Sequence, residues 1–188
     1  MAGKCQQEVA YIYEVYHDID SSKVIPANKK PSFYIMLMVY NDSIAITKRA
    51  YRYKSLFKKM INIKAEEDYS IVMKMKGTQY HYHFYTNYYN ELIASKDYDS
   101  DFSDWSFKKD TSYYMGLQLF KASNDCNYEV WYTKDLSCFS GVHPFMDNKL
   151  PGLIVKIYDD HHKALIILKE KKEICPEIKL GKYTLISE

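Results

Sequence analysis

The sequence predicts an all-β fold. It reads as one domain over residues 1–188, a mainly antiparallel sheet that is either strongly curved and open or an incompletely closed barrel, with at most one or two short helices. Three observations lead there. Tyrosine fills 20 of the 188 positions, and it is a strand former whose hydroxyl tolerates a wet edge. Apolar residues alternate with period two or run unbroken over short stretches bounded by turn formers. Helical spacing of apolar residues shows up in only one segment.

Residues 9–16 open the pattern, with Val9, Tyr11, Tyr13 and Val15 alternating against Ala10, Ile12, Glu14 and Tyr16. HDIDSSKVIPANKKPS (17–32) carries two prolines and many polar turn formers, so it is a loop. FYIMLMVY (33–40) is nearly continuous apolar and fits a strand covered on both faces. Asn41-Asp42 then turns the chain into SIAITKRA. In residues 53–67, Leu56, Met60 and Ile63 recur every three to four positions, the spacing of a short helix.

YSIVMKMKGTQYHYHFYTN (69–87) reads as a hairpin turning at Lys76-Gly77-Thr78. Residues 86–104 are the least regular part, an acidic loop. From Trp105 the strands resume as YYMGLQLFKA, YEVWYT, GLIVKIYD and KALIILKE, the last two joined by a turn at Asp160-His161-His162. KYTLISE, after Pro176, adds an edge strand. Residues 1–8 are read as a disordered or non-native start. The methionines in strand-like segments, Met36, Met38, Met73, Met75 and Met115, read as core filling.

Composition narrows the function classes. A formal charge of +2, with lysine pairs scattered along the chain, lacks the basic stripe that marks a nucleic-acid partner. No run approaches the ~18 apolar residues of a membrane-spanning helix, which predicts a protein that is not integral to a membrane. MAGKCQQEVA lacks the apolar region of a signal peptide. Cys5, Cys126, Cys138 and Cys175 show no CxxC spacing and give no support to a zinc or thioredoxin-like centre. Cys126 and Cys138 flank a segment that a hairpin could close into a disulfide, the alternative being partly buried thiols.

The segment DWSFKKDTSYYMGLQLFKA, then YEVWYTKDLS, then SGVHPFMDNKLPGLIVKI, resembles the GLPGLI family, uncharacterised exported proteins of Bacteroidota. Trp105, then Gly116 with Lys121-Ala122, then Trp131-Tyr132-Thr133, then Gly141 with Phe145, then Leu150-Pro151-Gly152-Leu153-Ile154 follow that family's order. Lys149 replaces the first glycine of the motif, Val142 and Ser137 stand where prolines are usual, and Leu119 stands where many members carry a cysteine. The resemblance implies a periplasmic or cell-envelope address and no reaction. Taken on their residue types, Pro151 suits a strand's first residue or edge because it cannot donate to the ladder. Gly152 suits positive φ or the close approach of another backbone. Leu153, Val155 and Ile157 would share one face, and Ile154, Lys156 and Tyr158 the other.

Few constellations suggest chemistry. His81 and His83, two apart on a strand, point to one side and could ligate zinc or copper, with Asp160, His161 or His162 as further donors. Asp97, Asp99 and Asp101 begin like a calcium loop, but Phe102 and Lys108 break it at the positions needing Gly and Glu. No nucleophile elbow, phosphate loop, dinucleotide fingerprint or HExxH occurs. Ser140 and His143 lie three apart without a base-and-orienter arrangement. The sequence therefore predicts a non-catalytic envelope binding or accessory protein needing no cofactor. It either carries an apolar or amphipathic ligand on its concave face, or docks on another envelope protein through a Tyr-rich surface or strand edge. The alternative is a metal-binding protein or metal-dependent enzyme using His81 and His83.

Overall fold

A computed structural model describes residues 8–20, 23–39, 44–53, 60–63, 69–75, 78–86, 92–97, 105–136, 150–174, 177–180 and 184–186. Alternating and continuous apolar runs form the first three strands, β1 (Glu8–Tyr16), β2 (Phe33–Val39) and β3 (Ile44–Ala50). The chain continues through β4 (Met60–Ile63), β5 (Tyr69–Met75), β6 (Thr78–Thr86) and β7 (Leu92–Asp97). The second half gives β8 (Ser106–Tyr114), β9 (Leu117–Ser123), β10 (Tyr128–Thr133), β11 (Leu153–Asp159) and β12 (Ala164–Ile174). Two short strands, β13 (Glu177–Leu180) and β14 (Thr184–Ile186), complete it.

Among the described residues twelve strands form one open sheet, in the order β14-β7-β6-β5-β3-β2-β1-β12-β11-β10-β9-β8. Every neighbouring pair in it is antiparallel except β14 on β7, which is parallel. β13 and β4 pair in parallel as a separate small sheet. The sheet is strongly curled at its β8 end. The hydroxyl of Tyr114 on β8 donates to the Leu168 carbonyl of β12 at 2.9 Å. Three strands separate the two in the sheet order. On a flat sheet that offset would be about 19 Å, well beyond the reach of a tyrosine.

The core lies inside this curl. Tyr11, Tyr13 and Val15 of β1 pack with Phe33, Ile35 and Leu37 of β2, Leu119 and Ala122 of β9, Val130 and Tyr132 of β10, and Leu153 to Val155 with Ile157 of β11. The opposite face of β1–β3 is buried as well, since Ala10, Ile12, Met36, Met38 and Ile46 are all nearly inaccessible. This explains why 33–40 is unbroken in its apolarity. Lys48 is 1% exposed on the same strands, a burial its sequence neighbourhood does not announce. Ile19 and Ile25, between β1 and β2, pack over Tyr158, Leu165 and Ile167 and so cover the outside of β11–β12.

Four readings of the sequence need correction. Leu92–Asp97, inside the segment read as an acidic loop, is a strand, because its apolar start pairs along β6 from Thr86↔Leu92 to His81↔Asp97. Met60–Ile63, inside the segment read as a short helix, is β4, drawn into parallel pairing with β13; residues 54–59 and 64–68 lie outside the described residues. Tyr113 to Ala122 is not one strand around Gly116. Met115 (φ +51°) and Gly116 (φ +78°) form a two-residue turn between β8 and β9, with positive φ at both central positions as a tight hairpin requires. Met115 accordingly lies at an exposed tip and not in the core. Finally, Ile154 joins the same buried cluster as Leu153, Val155 and Ile157. A bulge opposite Trp131/Tyr132 places one extra residue in β11 and breaks the strict alternation.

No helix among the described residues is long and apolar enough to cross a membrane.

Candidate functional site

The Pro-Gly step sits immediately before β11. Pro151 is exposed, and Leu153, the first strand residue, donates its N–H to the Leu136 carbonyl at 2.9 Å. Gly152 has φ +152°, and its N–H reaches the Leu150 carbonyl at 2.9 Å. A Cβ at this position would lie 1.9 Å from the Thr133 carbonyl oxygen at the end of β10. Glycine is therefore demanded twice, by the dihedral and by the neighbouring backbone.

Residues separated by up to about fifty positions in the motif converge here. Tyr132, Leu150, Leu153 and Ile154 are buried in one cluster, and Trp105 and Trp131 pack against it. The side chain of Thr133 is buried, and its Oγ1 accepts the Asp135 N–H at 3.2 Å. Gly116 stands apart, at the tip of the β8–β9 hairpin with open space around it. The Trp105 Nε1 is buried and has no hydrogen-bond acceptor among the described residues. Two tyrosine hydroxyls tie the curl together at bulges. Tyr13 donates to the Ile154 carbonyl at 2.8 Å beside the β11 bulge, and Tyr114 donates to Leu168 beside the β12 bulge opposite Ile12/Tyr13. Bulges disrupt the ladder locally, and these hydroxyls supply donors there.

Among the described residues β8 is the last strand of the sheet, and eight of its nine residues are exposed. Phe107 and Tyr113 are 56% and 73% exposed. Between Phe107 and Thr111 the pairing with β9 is interrupted, so Lys108, Lys109 and Asp110 bulge out opposite Lys121. Beyond the bulge, Tyr114↔Leu117 closes the two-residue hairpin. Alternation from that pair sends the N–H groups of Tyr113 and Thr111 away from β9, toward the unpaired side.

Other charged groups serve local structure. Glu14 accepts from the Tyr16 hydroxyl at 2.7 Å and pairs with the Lys169 ammonium. Burial, then that hydrogen bond, drives the Tyr16 phenol far above its ordinary value. In the β11–β12 turn, Asp159 Oδ1 accepts the backbone N–H groups of His161 and His162, and Oδ2 lies 2.6 Å from the His162 Nδ1. Burial pushes the Asp159 carboxyl up, but the His162 ring and these N–H groups together hold it below the usual range. Asp160 is occupied by Lys163 at 2.7 Å and Tyr158 at 3.2 Å. The turn is thus an internally satisfied polar loop.

His81 and His83 lie on β6, where His81 stands opposite Asp97 and His83 opposite Ser95 in the β6–β7 register. The sheet order puts β5, β3, β2 and β1 between them and His161 and His162, so the sequence-proposed additional donors belong to another part of the sheet. Among the described residues no group of three His, Cys, Asp or Glu side chains could hold a metal ion; the side chains of His81 and His83 are outside that set. Asp99, Asp101, Ser140, His143, Cys5, Cys138 and Cys175 also lie outside the described residues. Cys126 is exposed in the β9–β10 turn.

No protein-family model matches the chain, and no curated protein matches it. Among solved structures the chain is similar to that of PNGF-II in a C2 space group, with a TM-score of 0.61 at 15% sequence identity. The likeness covers 94% of this chain and 31% of PNGF-II, so this chain spans about a third of that protein's length. At that identity the two share a fold.

Proposed function

We propose that the chain is a non-catalytic docking protein of the cell envelope, of the GLPGLI type, which takes an extended segment of a partner along the free edge of β8. The observation that carries this reading is a nine-residue terminal strand exposed over eight residues, beside a curl that encloses one buried apolar cluster. The carrier version would need a cavity of ~300 Å³ or more inside that cluster. An open edge offers unpaired N–H and C=O groups, and adding a strand satisfies them while side-chain pockets supply selectivity. Phe107 and Tyr113 provide apolar anchors beside that edge. Support for the envelope address comes from the motif order of residues 105–154.

Thr111→Pro tests the edge directly. It removes an N–H that faces away from β9 and should leave the β8–β9 ladder intact. Native mass spectrometry of the protein purified from its own source should show a bound polypeptide that T111P loses, with circular dichroism unchanged. A stoichiometric apolar small molecule in place of the polypeptide would favour the carrier.

The metal reading rests on a different observation, the His81↔Asp97 register with His83 two residues along. Elemental analysis decides it. Stoichiometric zinc or copper, lost on replacing both histidines, would support it; metal-free protein would remove it.

A further inference from the structure

We propose that the outer face of β9–β11, beneath Lys23, is a binding site for a small tetrahedral oxyanion group, a phosphate or a sulfate. Cross-strand register builds the floor. Lys121, Trp131 and Lys156 stand in one row across β9, β10 and β11, and Ser123, Glu129 and Tyr158 in the next. Neighbours in such rows lie within side-chain reach on one face. Lys23, between Ile19 and Ile25 that pack on Tyr158 and Leu165, adds a third lysine over this floor. The Lys23 ammonium lies 4.9 Å from the centre of the Tyr158 ring and 2.6 Å from Glu129 Oε2. The Lys121 ammonium lies 2.9 Å from the same oxygen and 5.6 Å from the centre of the Trp131 ring.

The charge there does not balance. Three ammonium groups gather about the Glu129 carboxylate, and Asp20 and Asp160 act on the same spot from beside Tyr158 and Lys23, with Asp160 itself paired to Lys163. Glu129 Oε2 already serves Lys23 and Lys121. The Lys156 ammonium is the positive charge left without a carboxylate of its own. Lys156, half-buried between Ile167 of β12 and Trp131, makes no ion pair among the described residues. Burial lowers its affinity for a proton; Glu129 favours the charged form, while Lys23 and Lys121 oppose it. Lys23 also holds a left-handed backbone conformation, φ +57°, uncommon for a residue with a side chain. Local strain of this kind persists where the surroundings over-determine it and gathers at ligand sites. An incoming oxyanion would neutralise the Lys156 charge, and its several oxygens would accept from separate point-charge donors, the mode in which lysine binds phosphate. The aromatic rings beneath are already covered by Lys23 and Lys121, so the site recognises the anionic group and not a stacked ring.

The test titrates inorganic phosphate and inorganic sulfate into the folded protein, following backbone amide shifts of residues 121–131 and 154–158. The expected result is saturable binding that K121Q and K156Q each weaken by about tenfold or more, the equivalent of ~1.4 kcal/mol. E129Q should tighten binding, because it removes the carboxylate that competes for Lys23 and Lys121. K156Q removes repulsion without removing a pair, so it should fold at least as stably as the parent. A co-sedimentation arm with phosphatidylglycerol vesicles separates a lipid headgroup, which would pull down the parent and not K156Q, from a soluble anion, which would not. Absence of saturable shifts, or equal binding by parent, K121Q and K156Q, would overturn the proposal. So would weaker binding in a folded E129Q, which would make the cluster a structural brace for the loop.

Discussion

The carbonyl oxygen of Thr133 occupies the place where any residue larger than glycine would put its Cβ at position 152, 1.9 Å away. The Pro-Gly step is therefore fixed by the end of β10, a strand nearly twenty residues earlier in the chain. Gly152→Ala must push two backbones apart at the edge of the main buried cluster. Its expected cost is about 3 kcal/mol or more, in the range reserved for strain and core disruption. Gly116→Ala is the control, with φ +78° but open space around it, and should cost only about 1 kcal/mol. Urea unfolding of the two variants, with midpoint and slope compared, measures the contrast; equal losses would mean that close approach is not what position 152 resists.

Closure of the curl depends on two hydroxyls. Tyr13→Phe leaves the buried Ile154 carbonyl short of one donor and should destabilise by about 1–2 kcal/mol. Tyr114→Phe removes the bond from β8 to β12 in a half-buried setting and should cost less, about 1 kcal/mol. Hydrogen exchange should separate them further. Y114F should speed exchange on β8 and β9 selectively, whereas uniform acceleration across the sheet would argue that Tyr114 has no special part in the closure.

Acid should weaken the fold through two carboxylates. Burial raises the Glu129 carboxyl, but hydrogen bonds from Lys23 and Lys121 outweigh it and leave the group below its ordinary 4.5. Asp159 likewise lies below its ordinary 3.8. A depressed carboxyl stabilises the folded state fully above its unfolded value, and that contribution is lost as pH falls through the folded one. Unfolding free energy should accordingly hold until pH falls to about the ordinary carboxylate value of 4.5 and drop below it, and E129Q should show a shallower drop. An identical acid profile in E129Q would show that Glu129 does not share in it.

Alkali acts in the opposite sense. Tyr114, Tyr128 and Tyr132, with Tyr16 most strongly, are all raised above 10.0, burial being the largest cause in each. A phenol raised in the folded state contributes stability below its unfolded value and loses it as pH climbs toward the folded one. Spectrophotometric titration of phenolate should therefore show a late group of tyrosines that ionise only as circular dichroism reports unfolding. Smooth ionisation of all 20 tyrosines in a still-folded protein would contradict the burial assigned to these four.

Much of the strand order in the chain was legible because local patterning and tertiary burial agree. The alternation of residues 9–16 survives as two sides of β1, with Tyr11, Tyr13 and Val15 in the curl and Ala10 and Ile12 on the other face. The Asp160-His161-His162 turn formed where polar residues interrupt two apolar runs. The role of Gly152 was readable as a choice between positive φ and close approach, and both hold. Less legible were features that arise from pairing. Met115 is no usual turn residue, yet β8 and β9 force it to positive φ. Met60–Ile63 has helical spacing, yet β13 recruits it as a strand. The lysine cluster around Glu129 joins residues spread from position 23 to 156, and no window of sequence contains it.

By itself the sequence determined that this chain forms antiparallel sheet, where most strands begin and end, and that Pro151-Gly152 steers backbone. Those properties follow from the period of the side chains and from dihedral freedom, which each residue carries with it. Only the tertiary structure decided that the sheet curls until Tyr114 meets Leu168, that β8 ends the sheet among the described residues, and that Lys23 and Lys121 converge on the Glu129 carboxylate. Curvature and register depend on bulges and on which strands pair, long-range choices made by the collective burial of the core. No single stretch of residues encodes them.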